Sequence, residues 1–350
     1  MRKLTLIFFT LFLTSSIYAQ VKDTDSTLIV AENQEAELAY NKGIENFKSK
    51  NYQEAITNFT EAIGFKADFA KAYFGRGNVK ADLKDFTGAI ADFEQAIQKD
   101  SNYAEAYYSK ARAKNQINKN AEAMDDYTAA INHGYSEANV FYFRGVLKFQ
   151  IEDYKGAIED FNQAITKKYD YAYAYNDRGS AKRKLQQYDE AIADYTLAIK
   201  FDSQMALAYN NRGSAKRKKG DNKGAIEDYN QAIKIKSDYY IAYNNRGTAK
   251  YDLEDYKGAS EDFGQTVKLK IDYAYAYNNL GTAKFKLKDY EGSIKDLNKA
   301  IQLDPKYGFA YMNRGNSKEM IRDAEGACAD WKKAAELGVK QVESFIYQCQ

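Results

Sequence analysis

The chain has 350 residues, 45% apolar and 29% charged, which is enough for one large core or several small ones. Lysine and arginine number 51 against 49 acidic residues, and with Arg2 and Lys3 set aside the balance from Gln20 onward is 49 to 49. That neutrality supplies no electrostatic footprint for non-specific nucleic-acid binding.

The first twenty residues, MRKLTLIFFTLFLTSSIYAQ, have the layout of a secretory signal peptide: a basic start, an apolar run from Leu4 to Leu13, and a small, polar exit. Cleavage is expected after Ala19, leaving residues 1–19 as leader. The apolar run falls well short of the ~20 residues that span a bilayer. No Cys follows it to carry a lipid, and no other segment is apolar enough to span. The mature protein is expected to be soluble and exported, either periplasmic or extracellular. Residues 20–35 read as an N-terminal polar segment.

From residue 36 the chain repeats every 34 residues. Stepping by that interval lands on Gly43, Gly77, Ala111, Gly145, Gly179, Gly213, Gly247, Gly281 and Gly315. With this set at column 8, nine repeats run without insertion from 36 to 341. Column 20 is Ala in all but Ser293, and column 24 is a ring in all but Leu297. Column 27 is Ala in all but Thr266, and column 4 is aromatic from Tyr73 to Tyr311. Columns 4 and 8, and then 20, 24 and 27, follow the step that keeps side chains on one helix face. Between them lies a polar break, as in Glu152-Asp153-Tyr154. Each repeat is therefore a helix, a short turn and a second helix. A Gly inside a helix costs about 1 kcal/mol against Ala, so its repetition implies a close backbone approach.

A 34-residue helix–turn–helix unit with these columns resembles the tetratricopeptide repeat (TPR) family over residues 36–341. The resemblance implies an all-α, right-handed superhelical solenoid whose concave groove is lined by the first helix of each repeat. Two departures stand out. Column 32 is Pro only at Pro305, and the third repeat carries Ala111, Asn120 and an Asn132-His133-Gly134 interruption. The latter predicts irregularity near 132–138.

Column 23 is Asp in eight repeats and column 7 is basic in eight, which predicts a ladder of ion pairs between packed helices. Leu280 breaks column 7 and leaves Asp296 without its usual partner. Lys at column 11, from Lys80 to Lys318, reads as a solvated stripe. Catalytic chemistry finds little footing. His133 is the only histidine, no GxxxxGK[ST] loop occurs, and Tyr, Lys and Asp recur at packing columns. The reading is of a non-enzyme with no catalytic residue, no metal site and no cofactor.

At the far end, residues 342–350 read as an incomplete tenth first helix that caps the last repeat, as arrays require. Cys328 lies on the ninth repeat's second helix and Cys349 on this cap. Export and an even count favour a disulfide between them over two separate buried thiols.

In the TPR family the groove is lined by columns 2, 5, 6, 9, 12 and 13. Here those columns place Asn176, Asn210, Asn244 and Asn278 at 5, and Asn211, Asn245, Asn279 and Asn313 at 6. Tyr173, Leu207, Ile241, Tyr275 and Phe309 stand at column 2, with Arg183, Lys184, Arg217, Lys218 and Lys286 at 12 and 13. Asn amides suit the backbone of an extended peptide, the apolar side chains suit its side chains, and the basic cluster suits an acidic segment. The family's C-terminal-carboxylate clamp is not matched, since Phe74 and Met312 stand where lysine is required. The expected function is a scaffold or adaptor binding a protein or extended peptide. The alternatives are carbohydrate binding by the Tyr-rich groove, without a Trp platform, and a purely structural spacer. Nucleic acid is an unsuited partner given the leader and the neutral charge.

Overall fold

The computed structural model describes residues 24–349, so the leader and residues 20–23 lie outside it. The described residues form eighteen helices in nine antiparallel pairs, followed by short closing turns. The chain divides into two compact bodies, one ending at His133 and the other running from Gly134. The division falls within Asn132-His133-Gly134, where the third repeat departs from the pattern. Three helix pairs make the N-terminal body, and six pairs with the closing turns make the C-terminal one. Within each body every second helix packs on its own first helix and, wherever another repeat follows in that body, on the next repeat's first helix. One element is longer than its column pattern. The first helix spans Thr24–Lys48, so residues 24–35, read as a polar segment, are helical.

The turn inside each repeat follows from local chemistry. Column 15 takes a left-handed backbone in every repeat, with φ of 61° to 66° at eight non-glycine residues from Lys50 to Arg322 and 88° at Gly220. This conformation ends the first helix and reverses the chain. In six repeats the next residue is an Asp that caps the second helix. Asp153, for example, accepts the Gly156 N–H at 3.0 Å.

Close approach explains column 8. A Cβ built on Gly213 would lie 2.9 Å from Tyr229 Cε1 and 3.0 Å from the Ala225 carbonyl oxygen. The ring at column 24 thus occupies the space a side chain would need. These rings are buried in repeat after repeat, Phe59, Tyr195 and Tyr229 among them. Where the ring is Tyr, column 9 can satisfy its hydroxyl: Tyr229 donates to Ser214 Oγ at 3.2 Å, and Tyr195 pairs with Ser180 at the same distance.

The ion-pair ladder is present and has a third member. Arg212 holds both oxygens of Asp228, Nη2 to Oδ1 at 2.6 Å and Nε to Oδ2 at 2.9 Å. Lys216 adds Nζ to Oδ2 at 2.9 Å. The same triad recurs at Asp92, Asp160, Asp194, Asp262 and Asp330. The column-11 lysines therefore do not form a solvated stripe. Columns 7 and 11 are one helical turn apart, so both cations reach one carboxylate. The arginine also bonds the preceding repeat, Arg212 Nη1 donating to Thr196 Oγ1 at 3.1 Å. In the first repeat a neutral pair takes over, Asn46 donating to Asn58 at 2.9 Å. In the eighth, Asp296 keeps Lys284 at 2.6 Å while Leu280 fills the arginine's place. Burial raises the Asp296 pKa, and the lysine only partly opposes that.

The closing segment is a 3-10 turn at Lys340–Val342, one helical turn at Glu343–Ile346 and a second 3-10 turn at Tyr347–Cys349. It caps the last repeat as broken turns instead of a continuous helix. Phe345 packs on Trp331 with ring centres 5.1 Å apart, covering the face that an array leaves open. Cys328 and Cys349 are joined as a disulfide, their Cα atoms 5.6 Å apart.

Candidate functional site

In the C-terminal body the first helices of successive repeats touch one another, so columns 2, 5, 6, 9, 12 and 13 share one continuous face. Column 2 is its open part. Tyr173, Leu207, Ile241, Tyr275 and Phe309 are each 38% to 55% exposed, an apolar stripe across five repeats. Rings extend it laterally: Tyr275 lies 4.8 Å from Tyr307 and 6.0 Å from Tyr273, centre to centre.

The asparagines behave differently from a row of open amides. Asn176, Asn210 and Asn278 are 1%, 5% and 7% exposed. Each column-6 Asn donates to the column-5 Asn of the repeat before it. Asn211 reaches Asn176 at 3.1 Å, Asn245 reaches Asn210 at 2.9 Å, Asn279 reaches Asn244 at 3.2 Å and Asn313 reaches Asn278 at 2.9 Å. This amide ladder ties repeat to repeat, and buried polar groups paired in this way specify register. Half of each amide is thereby committed to the fold. Column 9 completes the layer, its Ser and Thr hydroxyls donating to column-5 carbonyls, as Thr248 does to Asn244 at 2.8 Å.

The basic columns are also partly committed. Arg217 Nε donates to Asp252 Oδ2 of the next repeat at 2.7 Å. Lys184 and Lys286 place their ammonium groups over Tyr154 and Tyr256, at 5.9 and 5.8 Å. Arg183 has its Nε buried with no hydrogen-bond partner among the described residues. Of the expected site residues, then, Tyr173 and Tyr275 face outward, while the asparagines and Arg217 are bound up with neighbouring repeats.

The stripe leads into a recess of about 490 Å3 between the first helices of the fourth, fifth and sixth repeats. Val146, Phe149, Asn176, Ser180, Arg183 and Leu207 line it, joined by Asp177 and Asn211. Asp177 was missed in the sequence reading. It accepts from the Tyr142 hydroxyl at 2.9 Å and from Asn176 Nδ2 at 2.9 Å. Burial pushes its pKa up, against the lowering effect of those two donors. Burial, with the Asp177 charge next in importance, also pushes the Tyr142 phenol up. The available signal was internal: column 6 is Asn in the sixth to ninth repeats and Asp in the fifth.

The N-terminal body has its own recess of about 440 Å3, lined by Phe47, Asn78, Ser109 and Arg112 among others. It contains no amide ladder. Column 5 there is Tyr40, Phe74 or Tyr108, and column 2 is Glu37, Lys71 or Glu105.

Tetratricopeptide repeat models match residues 40–104, 74–139 and 274–307, and a TPR repeat model matches 179–218 and 213–253. Together these cover more than half of the chain. No curated protein matches it. Among solved structures the chain is similar to YrrB, described as a TPR protein with an unusual peptide-binding site, at 25% identity and a TM-score of 0.50. That match covers 53% of this chain and 95% of the other. The C-terminal part of a TPR repeat-containing protein from Cytophaga hutchinsonii is 20% identical with a TM-score of 0.55, covering 67% and 97%. A tetratricopeptide repeat protein from Parabacteroides merdae is 17% identical at the same TM-score, covering 72% and 97%. At those identities the last two show a shared fold. In its repeat columns, its helix pairing and these matches, the chain belongs to the tetratricopeptide repeat family.

Proposed function

We propose that this protein is an exported, non-catalytic adaptor that holds an extended segment of a partner protein along the first-helix face of its C-terminal body. One observation carries the reading: five apolar side chains at column 2 stay exposed in register, one per repeat, over a layer of amides only half committed to the fold. A periodic apolar stripe beside remaining amide donors and acceptors fits a chain that offers a side chain at regular intervals and a backbone between them. The peptide-binding site named for YrrB supports the same use of the fold. The leader-like residues 1–19 support export.

The test is a selection from a random peptide library on the full chain, with Leu207→Asp/Ile241→Asp as comparison. Both side chains are exposed, so helicity should be unchanged. Enriched peptides that bind the wild type and lose at least about tenfold in affinity with the double variant are expected, since two desolvated apolar contacts are lost. No enrichment over background would remove the peptide reading. Glycan retention that disappears with Tyr173→Ala would put carbohydrate binding in its place.

A further inference from the structure

The recess beside Asp177 has a composition that the repeat pattern alone does not require. An Asn at 177 would serve the same neighbours, its carbonyl accepting from Asn176 and its amide donating to the Tyr142 oxygen, much as the column-6 amides of the next four repeats donate to the preceding column 5. An Asp there instead places a carboxylate in a largely desolvated position with two neutral donors, Tyr142 and Asn176. Such a group costs stability unless a cation compensates it. The two cations that border the recess do not close on it. Lys184 is drawn over the Tyr154 ring, and Arg183 lies beside the Tyr195 phenol with its Nε–H unused. Val146, Phe149 and Leu207 add an apolar wall.

We propose that this recess takes a lysine or arginine side chain of the bound segment. The cation meets the Asp177 carboxylate, and the methylene stem lies along Val146, Phe149 and Leu207. This inference rests on the groove reading for the ligand being a peptide. It reverses the preference for acidic segments that the sequence suggested, because Arg217 and Lys184 are already engaged.

The probes are N-acetyl-arginine-N-methylamide and its lysine, norleucine and glutamate counterparts, titrated at millimolar concentration into the full chain. The readout is the methyl resonances of Val146 and Leu207. The arginine and lysine probes should shift both saturably and bind at least about tenfold more tightly than norleucine, the scale of one charge-assisted hydrogen bond. The glutamate probe should not bind. Asp177→Asn should bring arginine down to norleucine's affinity while the melting temperature holds or rises. Glutamate binding as tightly as arginine, or norleucine matching arginine on the unaltered protein, overturns the inference without recourse to a variant. So does an Asp177→Asn protein that keeps its arginine affinity. Arginine binding without any library peptide would remove the groove reading and keep the pocket. Library peptides that bind with no basic residue at a fixed position would do the opposite.

Discussion

In the second and third repeats, column 5 is a ring and column 2 is charged: Phe74 with Lys71, Tyr108 with Glu105. In the sixth to eighth, the same columns are Asn210 with Leu207, Asn244 with Ile241, and Asn278 with Tyr275. The rings close their own space. Phe74 packs on Phe93 and Tyr103 with centres 5.7 and 4.9 Å apart, leaving no polar layer at that column. The asparagines build a layer that links successive repeats and leave column 2 open above it. Columns 7, 8, 11, 20, 23 and 24 barely change between the two bodies. The stack and its lining thus rest on different columns, and the lining is where the bodies part.

The strongest way to test that separation is at the ion-pair columns. Asp228→Ala leaves Arg212 and Lys216 without their carboxylate and should cost about 3 kcal/mol, the low end for a buried pair because both cations keep some solvent. Asp296→Ala should cost clearly less, since Lys284 alone is stranded. Hydrogen exchange resolved by repeat checks both, because stability in an array is local. Equal losses at the two sites would mean the arginine contributes nothing.

Next comes the packing column. Gly213→Ala forces Tyr229 or the second helix to move and should cost about 1–3 kcal/mol. The third repeat already accommodates Ala111, so Ala111→Gly there should cost only about 1 kcal/mol, the helix-propensity term. Thermal melts of the two single variants would show the asymmetry.

Breaking the amide ladder should be milder. Asn245→Ala leaves the buried Asn210 Oδ1 without its donor and should cost about 1 kcal/mol or somewhat more, read as faster exchange in the sixth and seventh repeats.

The smallest effect has the opposite sign. The folded-state pKa of Asp177 is raised above its unfolded value, so its ionisation opposes folding increasingly from the unfolded value upward, and fully once pH exceeds the raised value. Asp177→Asn should therefore raise the melting temperature at pH 7. The gain should shrink as pH falls and vanish near the unfolded value of about 3.9. A gain that is constant with pH would mean the carboxylate is not the cause.

The stack was legible in the sequence because nine copies of one unit expose its packing columns directly. The Arg–Asp pairing followed from those columns as well. The Lys column was misassigned even though its four-residue spacing from column 7 aims both side chains at the same Asp. The amide ladder was not legible. Its partners, such as Asn210 and Asn245, are 35 residues apart, one more than the period, so reading each column separately shows two open amides. Helical periodicity assigns a face to a side chain without showing which neighbour saturates it. Asp177 illustrates the other limit: one carboxylate among asparagines gains its meaning only when Tyr142, Arg183 and the recess surround it.

Whether the C-terminal first-helix face grips a protein segment can be read in the expressing cells by placing the photocrosslinker p-benzoylphenylalanine at single positions of the protein. Leu207, Ile241 and Phe309 are the groove positions, and exposed Lys223 on a second helix is the control. One protein should be crosslinked through all three groove positions, at successive sites along one extended stretch of its sequence, and not through Lys223. Adducts of equal yield at Lys223, or crosslinks scattered over unrelated proteins at the three groove positions, would contradict such a grip.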